Sequence, residues 1–424
     1  MNPELRFKDQ NGNDFPDWEE KKIGNELLIQ RGGSPRPIEN FITNKEGYNW
    51  IKIGDAPING NRIIDVKEKI IKEGAKFSRA VYKGDLILSN SMSFGRPYIL
   101  EVDGYIHDGW LLLRDENKKF DLFFLCEILG SSLVYRQYKK LAAGSTVNNL
   151  NKDLVSGVFV DIPSKEEQSK IATLLSNIDK KIEAQAIVVE KLKNTKDAMF
   201  IKMFPQGDSI NPKLRFKKEN GEDYCDWGKE KLNKIASPKA RIGWQGMRQS
   251  EFLDFGEYYL ITGTDFNNGS INFDSCCYVE KYRYDQDKNI QVHNGDILIT
   301  KDGTLGKVAY ISNMDKPATL NAGVFVLKNL DEKMDALFLY HYLAAPFLME
   351  YANEQATGGT IKHLNQKVLV SFEIPIPEKE EQIKIGKCLS NLDKEIEINQ
   401  QKYDKLCDVK KALLSKLFPT KEDE

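Results

Sequence analysis

The chain has 424 residues, with 41% hydrophobic and 29% charged side chains, which are ordinary values for a globular protein of about two or three domains. Its formal net charge of −2 excludes a protein that holds nucleic acid through overall basicity, so local patches or a partner must supply any DNA-binding charge. The six cysteines show no zinc-ligand spacing, the first residues form no signal-peptide core, and no apolar run is long enough to cross a membrane. We expect a cytoplasmic protein with reduced cysteines.

The chain begins with a segment that occurs twice. Residues 3–8 return as residues 212–217 with the same Pro, Leu, Arg, Phe and Lys, and Trp18 returns as Trp227. Behind each copy, short apolar runs bounded by Gly, Pro or Asn predict strands. In the first copy these runs are residues 49–53, 86–88, 98–102 and 110–113, and one helix is predicted at 120–138, with its counterpart at 336–351. The sequence therefore predicts two tandem globules of mixed α/β structure.

The two globules share apolar residues and turn glycines, but their loop residues differ. Residues 31–36 correspond to residues 240–245, and residues 89–96 to residues 300–307, with few identities. Both sets are rich in Arg, Lys, Ser, Thr, Asn and Gln, the side chains that hold phosphates and contact base edges. Two like scaffolds with unlike loops predict two different ligands of one class.

The candidate DNA contacts come from three loops at matching positions in each globule. In the first globule they are Arg31, Ser34, Arg36, Asn90, Ser91, Arg96, Ser145, Thr146 and Asn148. In the second globule they are Arg241, Gln245, Arg248, Lys301, Thr304, Lys307, Thr360, Lys362 and His363.

Each globule is followed by a long amphipathic helix. Residues 165–203 and 379–417 carry an a/d ladder with alternating steps of four and three residues. Ser164, with Glu167 three residues later, is a capping-box sequence at the first helix start, and Pro205 ends that helix. The ladder residues expected to pair the helices are Ile171, Leu175, Ile178, Ile182, Gln185, Val189 and Leu192, and then Ile385, Leu389, Leu392, Ile396, Asn399, Tyr403 and Leu406.

The direction of the helix pair follows from the chain between the helices. A helix over residues 165–203 would be about 58 Å long. The connecting globule, with a radius of gyration of roughly 15 Å, cannot carry the chain back along that length. The second helix should therefore run antiparallel to the first. The predicted fold is mixed α/β, with two tandem globules, two long helices in an antiparallel coiled coil and a pseudo-two-fold internal repeat.

The sequence contains no pattern that predicts catalysis. The glycine-lysine run at residues 303–307 is too short for a phosphate loop, and Val308 follows where Ser or Thr is required. Asp17 and Glu20 stand too close for a nuclease pair, and no adenine or cytosine methyltransferase motif occurs. The histidines show no triad or metal pattern; they are His107, His293, His341 and His363. We expect a protein that is not an enzyme, with no cofactor or metal of its own.

The order and duplication of these features resemble the specificity subunit of type I restriction-modification systems. Both long helices open with Pro-x-Lys-Glu-Glu-Gln and continue Ile-x-x-x-Leu-Ser-x-x-Asp-x-x-Ile, in the ladders that start at Ile171 and Ile385. The Gly-Asp strand starts at residues 84–85 and 295–296 and the Gly144 and Gly358 loops are also typical of this family. The resemblance covers essentially the whole chain.

The resemblance implies that each globule is a target recognition domain that reads one half of a bipartite, asymmetric double-stranded DNA site. The paired helices would set the spacer and dock two adenine-N6 methyltransferase subunits, which restriction and translocase subunits join. S-adenosylmethionine, ATP and Mg²⁺ are expected in those partners. The implied boundaries are domain 1 at 1–163, the central helix at 164–205, a linker at 206–211, domain 2 at 212–377, the C-terminal helix at 378–419 and a tail at 420–424.

Two other interpretations remain open from the sequence. The chain could be a scaffold that binds two protein partners across a coiled coil without contacting DNA. It could also be the specificity chain of a related system in which one partner polypeptide carries both methylation and cleavage. The scaffold hypothesis explains the repeat and the charge but not the polar, differing loops.

Overall fold

The computed structural model describes residues 3–57, 60–90, 94–142, 149–207, 209–355 and 363–418. The chain forms two compact units, and each unit contains part of both long helices. The first unit comprises Met1–Ile187 and Gln400–Glu424, and the second comprises Val188–Asn399. Within the described ranges, no helix is both long and apolar enough to cross a membrane.

The first unit is built from short strands, short helices and one half of each long helix. Its strands are β1 (Glu19–Lys22), β2 (Leu28–Arg31), β3 (Ile42–Thr43), β4 (Tyr48–Ile51), β5 (Arg62–Ile63), β6 (Lys69–Ile70), β7 (Arg79–Val81), β8 (Leu86–Ser89), β9 (Pro97–Leu100), β10 (Gly104–Ile106), β11 (Trp110–Arg114) and β12 (Phe159–Ile162). Its helices are α1 (Ile23–Glu26), α2 (Lys72–Ala75), α3 (Leu122–Leu129), α4 (Ser132–Ala142), α5 (Lys152–Ser156) and the first half of α6 (Lys165–Met203).

The second unit repeats this plan. Its strands are β13 (Gly228–Lys231), β14 (Ser237–Lys239), β15 (Tyr258–Ile261), β16 (Phe266–Asn267), β17 (Ser270–Ile271), β18 (Cys277–Val279), β19 (Gln291–Val292), β20 (Ile297–Thr300), β21 (Val308–Tyr310), β22 (Ala318–Leu320), β23 (Val324–Lys328) and β24 (Glu373–Ile376). Its helices are α7 (Leu232–Ile235), α8 (Lys281–Asp285), α9 (Ala336–Ala344), α10 (Phe347–Glu354), α11 (Gln366–Ser371) and the first half of α12 (Lys379–Leu417).

The sheet topology confirms the internal repeat. One sheet has the strand order β2-β11-β8-β9-β5 in the first unit and β14-β23-β20-β21 in the second. A second sheet places β4 parallel to β10 and β10 antiparallel to β7, and the second unit pairs β15, β22 and β19 in the same directions. The mixed α/β fold predicted from the sequence is therefore present twice.

The predicted single helix of each globule is wrong, because two helices are found in each case. In the first unit the break falls after Leu129, where Gly130 caps α3 and Ser131 accepts the amide of Val134 as α4 begins. In the second unit Pro346 separates α9 from α10. Proline removes a backbone donor and clashes with the preceding turn, so it ends a helix.

The long helices span Lys165–Met203 and Lys379–Leu417, the residues that the heptad ladders predict. In the first unit Lys410 Nζ lies 2.9 Å from Asp179 Oδ2, while Leu417 packs in the same core cluster as Ile171. Numbering rises along one helix as it falls along the other, so the two segments run antiparallel. In the second unit the ion pair of Lys196 with Asp393 and a core cluster shared by Met203, Ile385 and Leu389 show the same direction.

The ladder residues are the shielded positions of the two helices. Each of the fourteen predicted ladder positions is buried or half-buried. By contrast, Ile187 and Ile398 lie off the ladder and are 46% and 51% exposed. The heptad pattern therefore identified the face that each helix buries.

The N-terminal segment of each unit is tied to its long helix by a buried ion pair. Ser164 caps α6 by accepting the Glu167 amide at 3.4 Å. The Glu167 carboxylate accepts Arg6 Nε at 3.1 Å and Trp18 Nε1 at 3.2 Å, where a capping box would predict a bond back to the Ser164 amide. The second unit repeats the triad with Arg215, Trp227 and Glu381, at 3.1 and 2.9 Å. Both carboxylates are fully buried.

Candidate nucleic-acid interface

A loop follows the central strand of the larger sheet in both units, and a buried hydroxyl closes it. In the first unit Ser89, the last residue of β8, accepts the amide of Arg96 through its Oγ at 3.0 Å. In the second unit Thr300, the last residue of β20, accepts the amide of Lys307 through its Oγ1 at 2.9 Å. Because both hydroxyl residues are 0% exposed, the two loops start and end in the same geometry.

The loop that Ser89 closes is joined to two neighbouring loops through the backbone of Asn90. The Asn90 amide donates to Gly109 O at 2.9 Å, and the Asn90 carbonyl accepts the Leu150 amide at 2.9 Å. The second unit has both bonds at the equivalent positions, Lys301 N to Gly323 O and Leu364 N to Lys301 O, at 2.8 and 2.9 Å. Three loops therefore converge at one edge of each unit, as the sequence predicts.

In the first unit, candidate side chains gather around the Asp108 carboxylate. Ser34 Oγ donates to Asp108 Oδ1 at 2.8 Å, and Arg36 lies 3.6 Å from Asp108 Oδ2. Arg31 Nε and Asn90 Nδ2 donate to the Asp108 carbonyl at 3.2 and 2.8 Å. Arg36 remains 83% exposed, whereas Asn90 is only 3% exposed and braces the loop.

His107 and Asp108 form a neutral-to-anionic pair beneath these side chains. The Gly109 amide donates to His107 Nδ1 at 2.9 Å, so a neutral imidazole carries its proton on Nε2, which lies 3.0 Å from Asp108 Oδ1. Burial lowers the pKa of His107, which favours this neutral form at pH 7. Burial alone would raise the pKa of Asp108, but the Ser34 hydrogen bond and the charges of nearby arginines lower it. Asp108 is therefore an anion that holds the donors in place.

Arg96 lies at the far end of the same loop. Its guanidinium donates to Gly60 O at 2.8 Å and stacks 5.2 Å from the Tyr98 ring centroid. The side chain is half-buried, so its position is set by the protein, with part of its surface open.

In the second unit, Arg241 and Gln245 are more enclosed than the sequence interpretation requires. Arg241 is 2% exposed, and its guanidinium donates to Leu320 O at 2.8 Å and Thr319 Oγ1 at 3.2 Å. Gln245 is 5% exposed. A buried arginine with such partners has no free surface for a base, so we propose that Arg241 braces its loop and does not contact DNA.

The other described candidates of the second unit face outward or are half-buried. Arg248, Thr304 and Lys307 are exposed. Lys301 is half-buried, with its ammonium 5.3 Å from the Phe325 ring centroid. His363 is 73% exposed and lies 2.5 Å from Asp302. Six further candidates lie outside the described residues: Ser91, Ser145, Thr146, Asn148, Thr360 and Lys362.

Sequence reasoning missed the residues that organise the loops. Asp108 sits directly after an isolated histidine, and its partner Ser34 is 74 residues away in the chain. Ser89 and Thr300 offered a usable signal, because a hydroxyl residue ends the same strand in both copies of the repeat. Nothing in the sequence alone indicated Asp108.

Comparison with known proteins identifies the family. Residues 16–193 and 242–407 match the family described as type I restriction modification DNA specificity domain. These two segments cover most of the chain and include the long helices and the loops of both units. The chain belongs to this family.

Relatives match along nearly the whole chain. The type I restriction enzyme MjaVIII specificity subunit of Methanocaldococcus jannaschii is 24% identical over 99% of this chain and 96% of its own length. The EcoBI specificity subunit of Escherichia coli is 22% identical over 83% of this chain and 74% of its own length. The crystal structure of the S subunit of a type I restriction-modification system from M. genitalium covers 100% of both chains with a TM-score of 0.64 and 18% identity, which supports the fold.

These findings confirm the resemblance stated from the sequence. The chain is a type I restriction-modification specificity subunit, the component of such a system that recognises the DNA target. As a member of this class, it is a recognition subunit and not itself an enzyme.

Proposed function

We propose that each unit of this chain reads one half of a bipartite, asymmetric DNA target. The observation that carries this proposal is the loop frame that occurs in both units with different side chains. The hydroxyl closures at Ser89 and Thr300 are equivalent, but Asn90 and Arg96 in one unit are replaced by Lys301 and Lys307 in the other. Like frames with unlike side chains suit two readers of different base sequences.

We further propose that the paired helices set the spacer between the half-sites and dock two adenine-N6 methyltransferase subunits, with restriction subunits joining them. Large apolar side chains that lie off the ladder support a docking role, because they are exposed on the described helices. These are Ile187, Val188, Ile201, Ile398 and Val409. A solved structure with a TM-score of 0.54 to this chain is titled for complex assembly of the type I R-M system, which also supports this proposal.

The test is single-molecule methylation sequencing of DNA from cells that express this chain with its neighbouring methyltransferase. N6-methyladenine on a gapped, asymmetric motif should vanish in cells that lack only this chain. We expect half-site centres about one helical turn apart, near 34–36 Å. Unchanged methylation with an expressed partner would contradict the proposal and favour the protein scaffold. A single partner polypeptide that both methylates and cleaves would identify the related fused system.

Replacement of Arg36 by alanine should change the reading of the first half-site only. Arg36 is 83% exposed beside the Asp108 cluster, so a bidentate contact to guanine is available to it. We expect Arg36→Ala to cost about 1–3 kcal/mol at one position of that half-site, measured by competitive binding to single-base variants of the target. Lys119→Ala, which removes a surface lysine paired with Glu26, is the matched control and should have no such effect. An equal loss on all sequences would reassign Arg36 to phosphate binding.

A seven-residue insertion in both long helices should lengthen the spacer. One heptad adds about 10.5 Å at ~1.5 Å per residue, which corresponds to about three base pairs at ~3.4 Å each. Insertions after Gln185 and Asn399 keep the ladder in register, and the methylated motif then reports the new spacer. An insertion in one helix alone is the control and should impair assembly, because it misaligns the ladder. An unchanged spacer in the double insertion would refute the role of the helices as a ruler.

A further inference from the structure

A cavity of about 630 Å³ opens in the first unit beside the Asp108 cluster. Its walls include Trp50 and Ile38, and its polar lining includes Arg36, Lys52 and Glu68. Trp50 is fully buried, with its ring centroid 5.8 Å from that of His107. The volume lies within the ~300–1,000 Å³ of small-ligand pockets, and apolar walls with a few polar groups are typical of such sites.

The Glu68 carboxylate is the unusual group in this cavity. One of its oxygens, Oε1, is paired with the Lys52 ammonium. The other oxygen, Oε2, is buried and has no hydrogen-bond partner among the described residues. An ionised carboxylate only accepts hydrogen bonds, and a buried acceptor without a donor is costly. The cavity therefore presents an acceptor that a ligand with an N–H group would satisfy.

Cations flank this acceptor on the open side of the cavity. Arg36 is 83% exposed, and the Lys52 side chain is 37% exposed. Guanidinium and ammonium groups are the usual protein partners of phosphate. His107, on the cavity wall, is kept neutral by burial and so adds no charge. An apolar wall, a free acceptor and two cations together match a nucleotide.

We propose that this cavity binds one nucleotide whose base carries an exocyclic amino group, either cytosine or adenine. The amino group donates to Glu68 Oε2, and the phosphate lies against Arg36 and Lys52. Thymine is rejected because it offers carbonyl oxygens where the cavity requires a donor. The nucleotide comes from one of two sources, an unpaired nucleotide of the target DNA or a free nucleotide. The first source deepens the proposed reading of the half-site and rests on it.

The test is calorimetric titration of the full chain with dCMP, dAMP and dTMP. We expect dCMP or dAMP to bind at least about tenfold more tightly than dTMP, since a hydrogen bond to a charged acceptor is lost with thymine. Glu68→Gln should abolish this preference, because the amide can also donate. Glu39→Gln, a change at an exposed position of the cavity rim, is the matched control and should retain it.

Repeating the titration with saturating target duplex distinguishes the two sources. Loss of nucleotide binding would show that target DNA occupies the cavity, and unchanged binding would indicate a free nucleotide. Failure of all three nucleotides to bind at millimolar concentration, or equal binding of dCMP, dAMP and dTMP, would overturn the proposal. Either result is separate from the methylation test, because the wild-type chain could still direct methylation to a gapped motif.

Discussion

Replacing Gly306 by alanine should abolish reading of the second half-site. Gly306 ends the loop that Thr300 closes, and its φ of +69° lies in the left-handed region that favours glycine. A Cβ at this position would lie 2.6 Å from Met349 Cγ on α10. The strained backbone costs about 1–2 kcal/mol and the overpacking about 1–3 kcal/mol. If the loop moves to relieve this strain, specific binding should fall at least about tenfold.

Two variants separate the contact from the backbone strain. Gly303→Ala places a side chain at a φ of +73° in the same loop with no atom within 4 Å, so it tests the strain alone. Met349→Ala combined with Gly306→Ala removes the obstructing side chain and should recover part of the binding. The measurement is methylation at the complete motif, together with binding to duplexes carrying only one half-site. Normal reading by Gly306→Ala would show that this loop does not contact DNA.

Replacing Arg215 by methionine should strongly destabilise the second unit. Arg215 Nη2 lies 2.8 Å from Glu381 Oε2, and the Glu381 carboxylate is fully buried. Removing the arginine leaves that charge with the Trp227 indole N–H among its remaining donors. Breaking a buried ion pair from one side typically costs about 3–5 kcal/mol. Urea unfolding of the purified chain should show this loss as an earlier transition.

A neighbouring exposed ion pair provides the control for this prediction. Lys217 lies 3.2 Å from Asp223, and the two side chains are 64% and 75% exposed. Lys217→Met should change the free energy of unfolding by only about 0–1 kcal/mol, because exposed pairs are screened by water. Similar effects of the two substitutions would show that the Arg215 pair contributes no more than a surface contact.

The long helices and the repeat could be predicted because their signals are local or duplicated. The a/d ladder needs only the spacing of residues such as Ile171 and Leu175, and helices that bury one stripe have this periodicity. The break at Pro346 was also visible in the sequence, but the apolar pattern on both sides of it favoured one helix. Here the backbone restriction of a single residue decided the structure over periodicity.

The candidate interface was predicted as loops, but the roles of single side chains within the loops were not. Polar composition identifies a segment that faces solvent, yet it does not distinguish the exposed Arg36 from the buried Arg241. That difference arises from contacts distant in sequence, such as the bond from Arg241 to Leu320 O, 79 residues away. Such pairings depend on the tertiary fold, so no local pattern reveals them.

The hydroxyl closures at Ser89 and Thr300 have a consequence for how new specificities arise. Each loop is fastened at its two ends by bonds to backbone atoms of the last strand residue and of Arg96 or Lys307. The residues between these ends are not needed for the fastening. A few codon changes within one loop can therefore alter the sequence preference of one unit while its core stays intact. The duplicated frame is in this sense an exchangeable cassette, open to evolution and to grafting between units.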